Sequence, residues 1–347
     1  MFRLRRDRVR TGTREDRKRY IDDLYSVFLG RSPGVEESAH WISVLEQGMS
    51  DRDVFYRFKA SKEYELRTRV RTTFPAGHYH SPVVDPDEAR KYFRVDRGTD
   101  PKNLGGISIS VENMMRVWER LRPFITSTNF PSKKDKRCRY YVNNDVYPIG
   151  DATILRAMIL ATKPKRIIEI GSGFSSACML DALDESGNLE ANVTFVEPYP
   201  ERLLGLLRPS DNQRCKIIKQ PVQALDVHLF EDLQQNDILF IDSTHVLKTA
   251  SDVHFELFEV MPRLRNGVLI HFHDVHYPFE YPESWIFDLN YSWNEIYAVR
   301  AFLMYNREFE IMYFNSFFAS EYALLIDITY PQMLRNPGGS LWLRKMG

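Results

Sequence analysis

The amino-acid sequence predicts an α/β protein, a doubly wound sheet preceded by a small all-α domain. Three observations predict it. From Lys165 onward, short apolar β-rich runs alternate with helical stretches, the pattern of a mostly parallel sheet covered on both faces. Ahead of that, residues 20–70 place apolar side chains at helical spacing. The first apolar run also ends in "EIGSGFSS", a glycine turn that opens a helix, and such sheets bind ligands at the carboxyl ends of their strands.

Residues 1–19 are dominated by arginine and read as a basic flexible arm. Ile21, Leu24, Tyr25, Phe28 and Leu29 then line one face of a helix, which Pro33 and Gly34 stop. A second helix passes through Trp41, Ile42 and Leu45 to Gly48. Ser50, with Asp53 three residues on, opens a third that turns Val54, Phe55 and Phe58 inward. This is the accessory domain, 20–70. Residues 71–135 are turn-rich and read as a connector that covers the main domain, expected over 136–330, with 331–347 as a C-terminal tail. In the main domain "RIIEIG", "NVTFVE", "CKIIK", "DILFID" and "GVLIHFHD" are strands. "FSSACMLDAL", "PERLLGLL", "TASDVHFELFEVMPRL" and "WNEIYAVRAFLMYN" are helices, and "FEIMYF" with "EYALLIDI" forms a closing strand pair.

Forty-seven basic residues balance forty-seven acidic ones, so no global charge calls for nucleic acid as a partner. The arginine-rich arm reads as a solvated tail or as a contact with anionic lipid or a glycan-assembly partner. Three widely spaced cysteines, an odd number, suit a reducing compartment. With neither a signal-like nor a membrane-spanning apolar run, the expectation is a cytoplasmic protein.

Gly171 and Gly173 let the backbone turn tightly, and Glu197 closes the next strand where an acidic group can hold ribose hydroxyls. A dinucleotide fold wants a third glycine where Ser176 stands. Glu169, beside the loop, is poor for a pyrophosphate and suits the ammonium and sulfonium end of S-adenosylmethionine. Ser172, Ser175 and Ser176 read either as cofactor contacts or as helix caps. Further on, His271, His273, Asp274 and His276 crowd the end of "GVLIHFHD", Asp242 ends "DILFID", and His245 follows three residues later at the expected start of a helix.

The run E-x-G-x-G with a later acidic strand end resembles class I S-adenosylmethionine-dependent methyltransferases. "FVEPYPERL", "FIDSTHVLKTASDV" and "GVLIHFHDVHYPFEYPESW" look like a bacterial subfamily related to sugar O-methyltransferases of the macrocin type and associated with polysaccharide biosynthesis. The resemblance covers residues 75–330, "GHYHSPVVD" and "YYVNNDVYPIGDATIL" included. It implies a Rossmann-like methyltransferase sheet, with Glu169, Gly171 and Gly173 around the methionine moiety and Asp151 reaching the same end. It also implies Glu197 on the ribose, and Gln220 and Val222 near the adenine. With that strand order the tips carrying Asp242 and His273–Asp274 are neighbours, about 4.8 Å apart. Metal-dependent relatives carry acidic ligands at these tips, which makes Asp242, His273 and Asp274 candidate ligands for magnesium. The imidazole instead favours manganese or no metal.

"YIDDLYSVFLGRSPGVEESAHWISVLEQGMSDRDVFYRFKASKEY" resembles a bacterial helical module of unknown function, found in surface and secreted proteins and appended to glycan-modifying enzymes. Leu29–Arg31, Pro33, Trp41, Gly48, Ser61 and Glu63 carry the likeness, which implies association rather than chemistry.

The expected function is an S-adenosylmethionine-dependent O-methyltransferase acting on a hydroxyl of a sugar, nucleotide sugar or glycan, with oligomerisation open. His245 or His273 is the expected base and Asp242 a catalytic partner. His254 is read as structural and His271 as too far from the tip to ligate. Tyr277, Tyr281 and Trp285 read as a sugar-stacking platform or a packed surface loop. The rival readings are an inactive scaffold acting through its N-terminal module and a metal-dependent hydrolase or hydroxylase. Glu169 and Ser176 disfavour a dehydrogenase.

Overall fold

A computed structural model describes residues 13–29, 31–64, 74–93 and 103–347. Residues 1–12 of the expected basic arm and 94–102 of the expected connector lie outside these. The chain divides into two compact units, 1–82 and 83–347.

In the first unit, helix α1 (Arg14–Leu24) starts at Thr13. The Thr13 hydroxyl accepts from the Asp16 amide and the Asp16 carboxylate accepts from the Thr13 amide, a reciprocal cap that leaves neither N–H unpaired. Tyr25–Leu29 continues it as one wider turn. Helix α2 (Val35–Glu46) and helix α3 (Asp51–Lys59, capped by Ser50) follow. Ile21, Leu24, Leu29, Ile42, Leu45, Val54 and Phe58 form its core. Arg31 donates to both Glu37 and Glu63 at 2.7 Å and lies over the Tyr25 ring, so the motif arginine and glutamate tie the two ends of the unit together.

The second unit is built on a seven-stranded sheet in the order β3-β2-β1-β4-β5-β7-β6. Its strands are β1 (Arg166–Ile170), β2 (Asn192–Val196), β3 (Cys215–Ile218), β4 (Ile238–Ile241), β5 (Leu269–Phe272), β6 (Phe309–Phe314) and β7 (Leu341–Lys345). Strands β1 to β5 pair in parallel, and β7 runs antiparallel to both β5 and β6. The chain winds outward from β1 to β3 and then returns to lay β4 against β1. That reversal opens a crevice at the carboxyl ends of β1 and β4, where this architecture places ligands.

Two expectations need correcting. Residues 71–135 are not a mere connector: helix α4 (Val111–Thr126) buries Met114, Trp118, Leu121 and Ile125 in the main core, and the boundary between units falls at 82/83. "EYALLIDI" is not a strand, because Ala323–Thr329 is helical. The partner of β6 is β7, read from sequence as a tail, in which Leu341, Trp342 and Leu343 are fully buried. Short apolar runs suit either period, and only pairing with distant strands decides between them.

Candidate active site

At the tip of β1, Gly171 has φ +77°, and a Cβ there would meet the Asp242 carbonyl oxygen at 1.7 Å. Only glycine fits, and the close approach locks the loop onto the end of β4. Helix α6 (Phe174–Glu185) begins next, with Ser176 Oγ accepting the Gly173 amide at 2.9 Å. Ser175 Oγ donates to Glu169 at 2.5 Å and Ser176 Oγ donates to its other oxygen. Glu169 is therefore a fully buried brace beneath the loop. Burial raises its pKa to about 8, opposed by the two serine hydroxyls and reinforced by the negative charges of Asp242 and Glu197.

Glu197, at the tip of β2, accepts from the amides of Ser172 at 3.0 Å and Tyr199 at 2.8 Å. Beside it the Ser172 hydroxyl is buried with no hydrogen-bond partner among the described residues. Gln220 is exposed and Val222 is packed in the core just beyond β3. Asp151, in helix α5 (Ile149–Thr162), is fully buried: Oδ1 accepts from Asn315 Nδ2 and the Ser340 amide, and Oδ2 from the Gly339 amide. Its carboxylate pins the loop that leads into β7. Its burial, partly offset by His273 and these donors, leaves its pKa at about 6.

The second cluster sits on the adjacent tips of β4 and β5. His245 does not start a helix as the sequence suggests: it is a loop residue with φ +61°, and the next helix, α7 (Asp252–Phe255), begins seven residues later. Asp274 also has a left-handed φ, +56°, so both strained positions flank one site. The His245 ring is buried against Trp293 at 4.4 Å between centroids. Nδ1 lies 2.7 Å from Glu295 Oε2, while Nε2 faces Asp242 at 3.6 Å and Asp274 at 3.7 Å. Burial alone would favour the neutral ring. The nearby Asp242 carboxylate, the hydrogen bond to Glu295 and the charges of Glu295 and Asp274 outweigh it and hold the His245 pKa well above the ordinary histidine value. His273 is buried 3.5 Å from Asp274 and 3.7 Å from Asp151, and its pKa is likewise raised: burial opposes the charge and Asp274, Asp242 and Asp151 favour it.

His271 lies deeper, bonded through Nε2 to Ser340 Oγ at 2.7 Å, and burial keeps it neutral. His254 is exposed on its short helix. Tyr281 is buried, with Trp285 and Trp293 packed around it. Among the described residues no group of three or more His, Cys, Asp or Glu side chains is disposed to hold a metal ion. The His245 ring faces both Asp242 and Asp274.

Sequence reading missed Glu295 and Trp293. Glu295 opens helix α8 (Glu295–Leu303), where an acidic residue is ordinary. Nothing local marks it as the partner of a histidine fifty residues away.

Residues 168–275 match a family described as a methyltransferase domain, and residues 9–67 match a domain of unknown function (DUF4214). An uncharacterized protein of Archaeoglobus fulgidus is 35% identical over 173 residues, 48% of this chain and 76% of that protein. The chain belongs to the same family as that protein. Among solved structures, the chain is similar to a Podospora anserina methyltransferase bound to S-adenosylhomocysteine. The two are 14% identical, with 80% of this chain and 99% of that chain covered and a TM-score of 0.35. It is also similar to the Streptomyces achromogenes O-methyltransferase TomG in complex with S-adenosylmethionine. Here identity is 12%, coverage is 70% of this chain and 92% of that chain, and the TM-score is again 0.35.

The residues at the tips of β1 and β2 fit a cofactor such as S-adenosylmethionine. The loop over Asp242 admits no Cβ at Gly171, Ser172 Oγ lacks a partner among the described residues, and a cation bound there would favour the charged form of the buried Glu169 carboxyl. No helix among the described residues is long and apolar enough to cross a membrane.

Proposed function

We propose that the protein is an S-adenosylmethionine-dependent O-methyltransferase whose acceptor is a hydroxyl of a sugar, nucleotide sugar or glycan in polysaccharide biosynthesis. The observation that carries the reading is the pairing of a cofactor-shaped loop at β1 with a buried His–Glu couple at the neighbouring tip of β4. Bound at the loop, the cofactor supplies an electrophilic methyl on a sulfonium. Glu197 and Ser172 hold its ribose, and Glu169 sets the field around its cationic end. His245 is the base in its neutral form, which its raised pKa confines to the alkaline side: Glu295 at Nδ1 fixes the tautomer and orientation, leaving Nε2 toward the crevice to take the acceptor's proton. The cofactor would supply the methyl and keep the sulfur's electron pair on leaving, and the part of this chain would be to hold the acceptor and take its proton on His245. His273 and Asp242 supply balancing charge. The acceptor class rests on the macrocin-type resemblance, with Trp293 as the aromatic wall beside His245 and Trp285 packed behind it.

The test is calorimetric titration of S-adenosylmethionine into the full chain and into Glu169→Gln, followed by transfer of labelled methyl to a panel of nucleotide sugars and oligosaccharides. Saturable binding weakened by the substitution, with label in a sugar, supports the reading. No binding to folded protein overturns it and favours the scaffold alternative. Binding with label only in non-sugar acceptors overturns the acceptor class alone.

A further inference from the structure

A second cavity, about 350 Å³, lies between α4, the end of α5, and strands β6 and β7. Arg344 on its wall pairs with Leu269 at the start of β5, whereas His273 follows the end of that strand. The cavity therefore opens at the opposite end of the sheet from the catalytic cluster, roughly 13 Å along the strand direction.

Three guanidiniums line it, those of Arg116, Arg120 and Arg344, against one carboxylate, Glu310. That carboxylate is engaged, because Glu310 accepts from the Asn113 amide. Arg120 spends one N–H on the carbonyl of Ala161 at 2.7 Å. Arg116 is largely exposed, donates to Asn113 Oδ1 and contacts Glu112 at 3.6 Å. Arg344 is the least satisfied: its Nε is buried with no hydrogen-bond partner among the described residues. Glu310 is its direct cross-strand neighbour, yet no ion pair joins the two. Leaving a guanidinium N–H buried without an acceptor is costly, and guanidinium forks match phosphate geometry. The floor between the arginines is apolar, formed by Leu121, Met158 and Met312.

From this we infer a second ligand site, for a phosphomonoester with an apolar body. The phosphate lies between Arg344, Arg120 and Arg116, and the carbon skeleton rests on the methionines. The volume falls within the usual range for small-molecule pockets. The site is independent of the methyl-transfer reading, since it shares no residue with the crevice.

Phenyl phosphate, inorganic phosphate and phenol would be titrated by calorimetry into the full chain, into Arg344→Gln and into Arg120→Gln. Phenyl phosphate is expected to saturate one site and to bind more tightly than inorganic phosphate. Its Kd is expected to rise about tenfold or more in either variant, the scale of one lost charged hydrogen bond. S-adenosylmethionine affinity should stay unchanged in both. No saturable phenyl phosphate binding, or an unchanged Kd in both variants, overturns the site. Inorganic phosphate binding as tightly as phenyl phosphate, or phenol binding alone, overturns the phosphomonoester assignment. Should Arg344→Gln fail to fold, Arg116→Gln on the exposed rim carries the test, with a severalfold weaker Kd expected and an unchanged one counting against the site.

Discussion

The two halves of the crevice handle buried carboxylates in opposite ways. At β1 and β2, Glu169 and Glu197 are held by serine hydroxyls and backbone amides, donors that carry no formal charge. At β4 and β5, Asp242, Asp274 and Glu295 face imidazoles, which carry or release a proton. The first half therefore holds a carboxyl that burial keeps protonated up to about pH 8 and that a cation arriving with the cofactor would favour in its charged form. The second is internally balanced and suited to moving a proton. On the proposed reading the carboxyl end of one sheet would serve both tasks, because its neighbouring tips are capped by different chemistry.

Substitutions test that division from the largest effect to the smallest. His245→Ala should lower methyl transfer by about 10²–10⁴-fold while leaving S-adenosylmethionine affinity within about twofold, the scale of losing a general base. A matching loss of cofactor affinity in calorimetry would erase the division between halves. Gly171→Ala should destabilise the fold by about 4 kcal/mol or more, since backbone atoms cannot yield a clash this deep. A near-normal midpoint in chemical denaturation would mean that the loop is not locked to β4.

Glu169→Gln should weaken S-adenosylmethionine binding about tenfold by removing a nearby charge from a low-dielectric site. The same residue predicts a pH dependence. Its folded pKa of about 8 lies above the ordinary 4.5, so the folded protein carries an extra proton between those values. The group's contribution to stability is complete below the lower value and is lost as pH rises toward the upper one. A cationic cofactor favours the carboxylate, so affinity should rise with pH and level off near 8. Binding should also release a proton below that pH, seen as buffer-dependent heat, and Glu169→Gln should abolish both effects.

Glu295→Gln should lower the His245 pKa, because a carboxylate at Nδ1 is replaced by a neutral amide. An NMR titration of the imidazole reads this directly, and an unmoved pKa would show that Glu295 does not hold the ring. Chelator treatment should leave cofactor affinity unchanged, since Glu169, Ser172 and Glu197 stand apart from the β4 and β5 tips. A chelator-sensitive Kd would instead join the two halves through an ion.

Some of this architecture was legible before any coordinates. Strands β1 to β5 announce themselves as apolar β-rich runs, and the helices of the first unit by their spacing and by the Thr13 and Ser50 caps. The glycine loop is equally local: Gly171 stands out because it ends a strand and opens a helix. The strand-tip acids Asp242, Asp274 and Glu197 follow from the same logic, since each closes a run that must be buried.

What the sequence by itself determined, then, is whatever rests on interactions within a few residues: strand and helix identity, caps, turns, and which residues sit at strand ends. Only the tertiary structure decided the rest, because those choices rest on partners far along the chain. It threaded residues 341–345 between β5 and β6, where an apparent tail buries Leu341, Trp342 and Leu343. It made Asp151, read from sequence as reaching the methionine end of a cofactor, the anchor of the loop before that strand as well. It brought Glu295 to His245 across fifty residues, so that a helix-opening acid became the brace of the expected base. Hydrophobic periodicity records that a side chain is buried. Which distant group it meets there is set by the closure of the sheet.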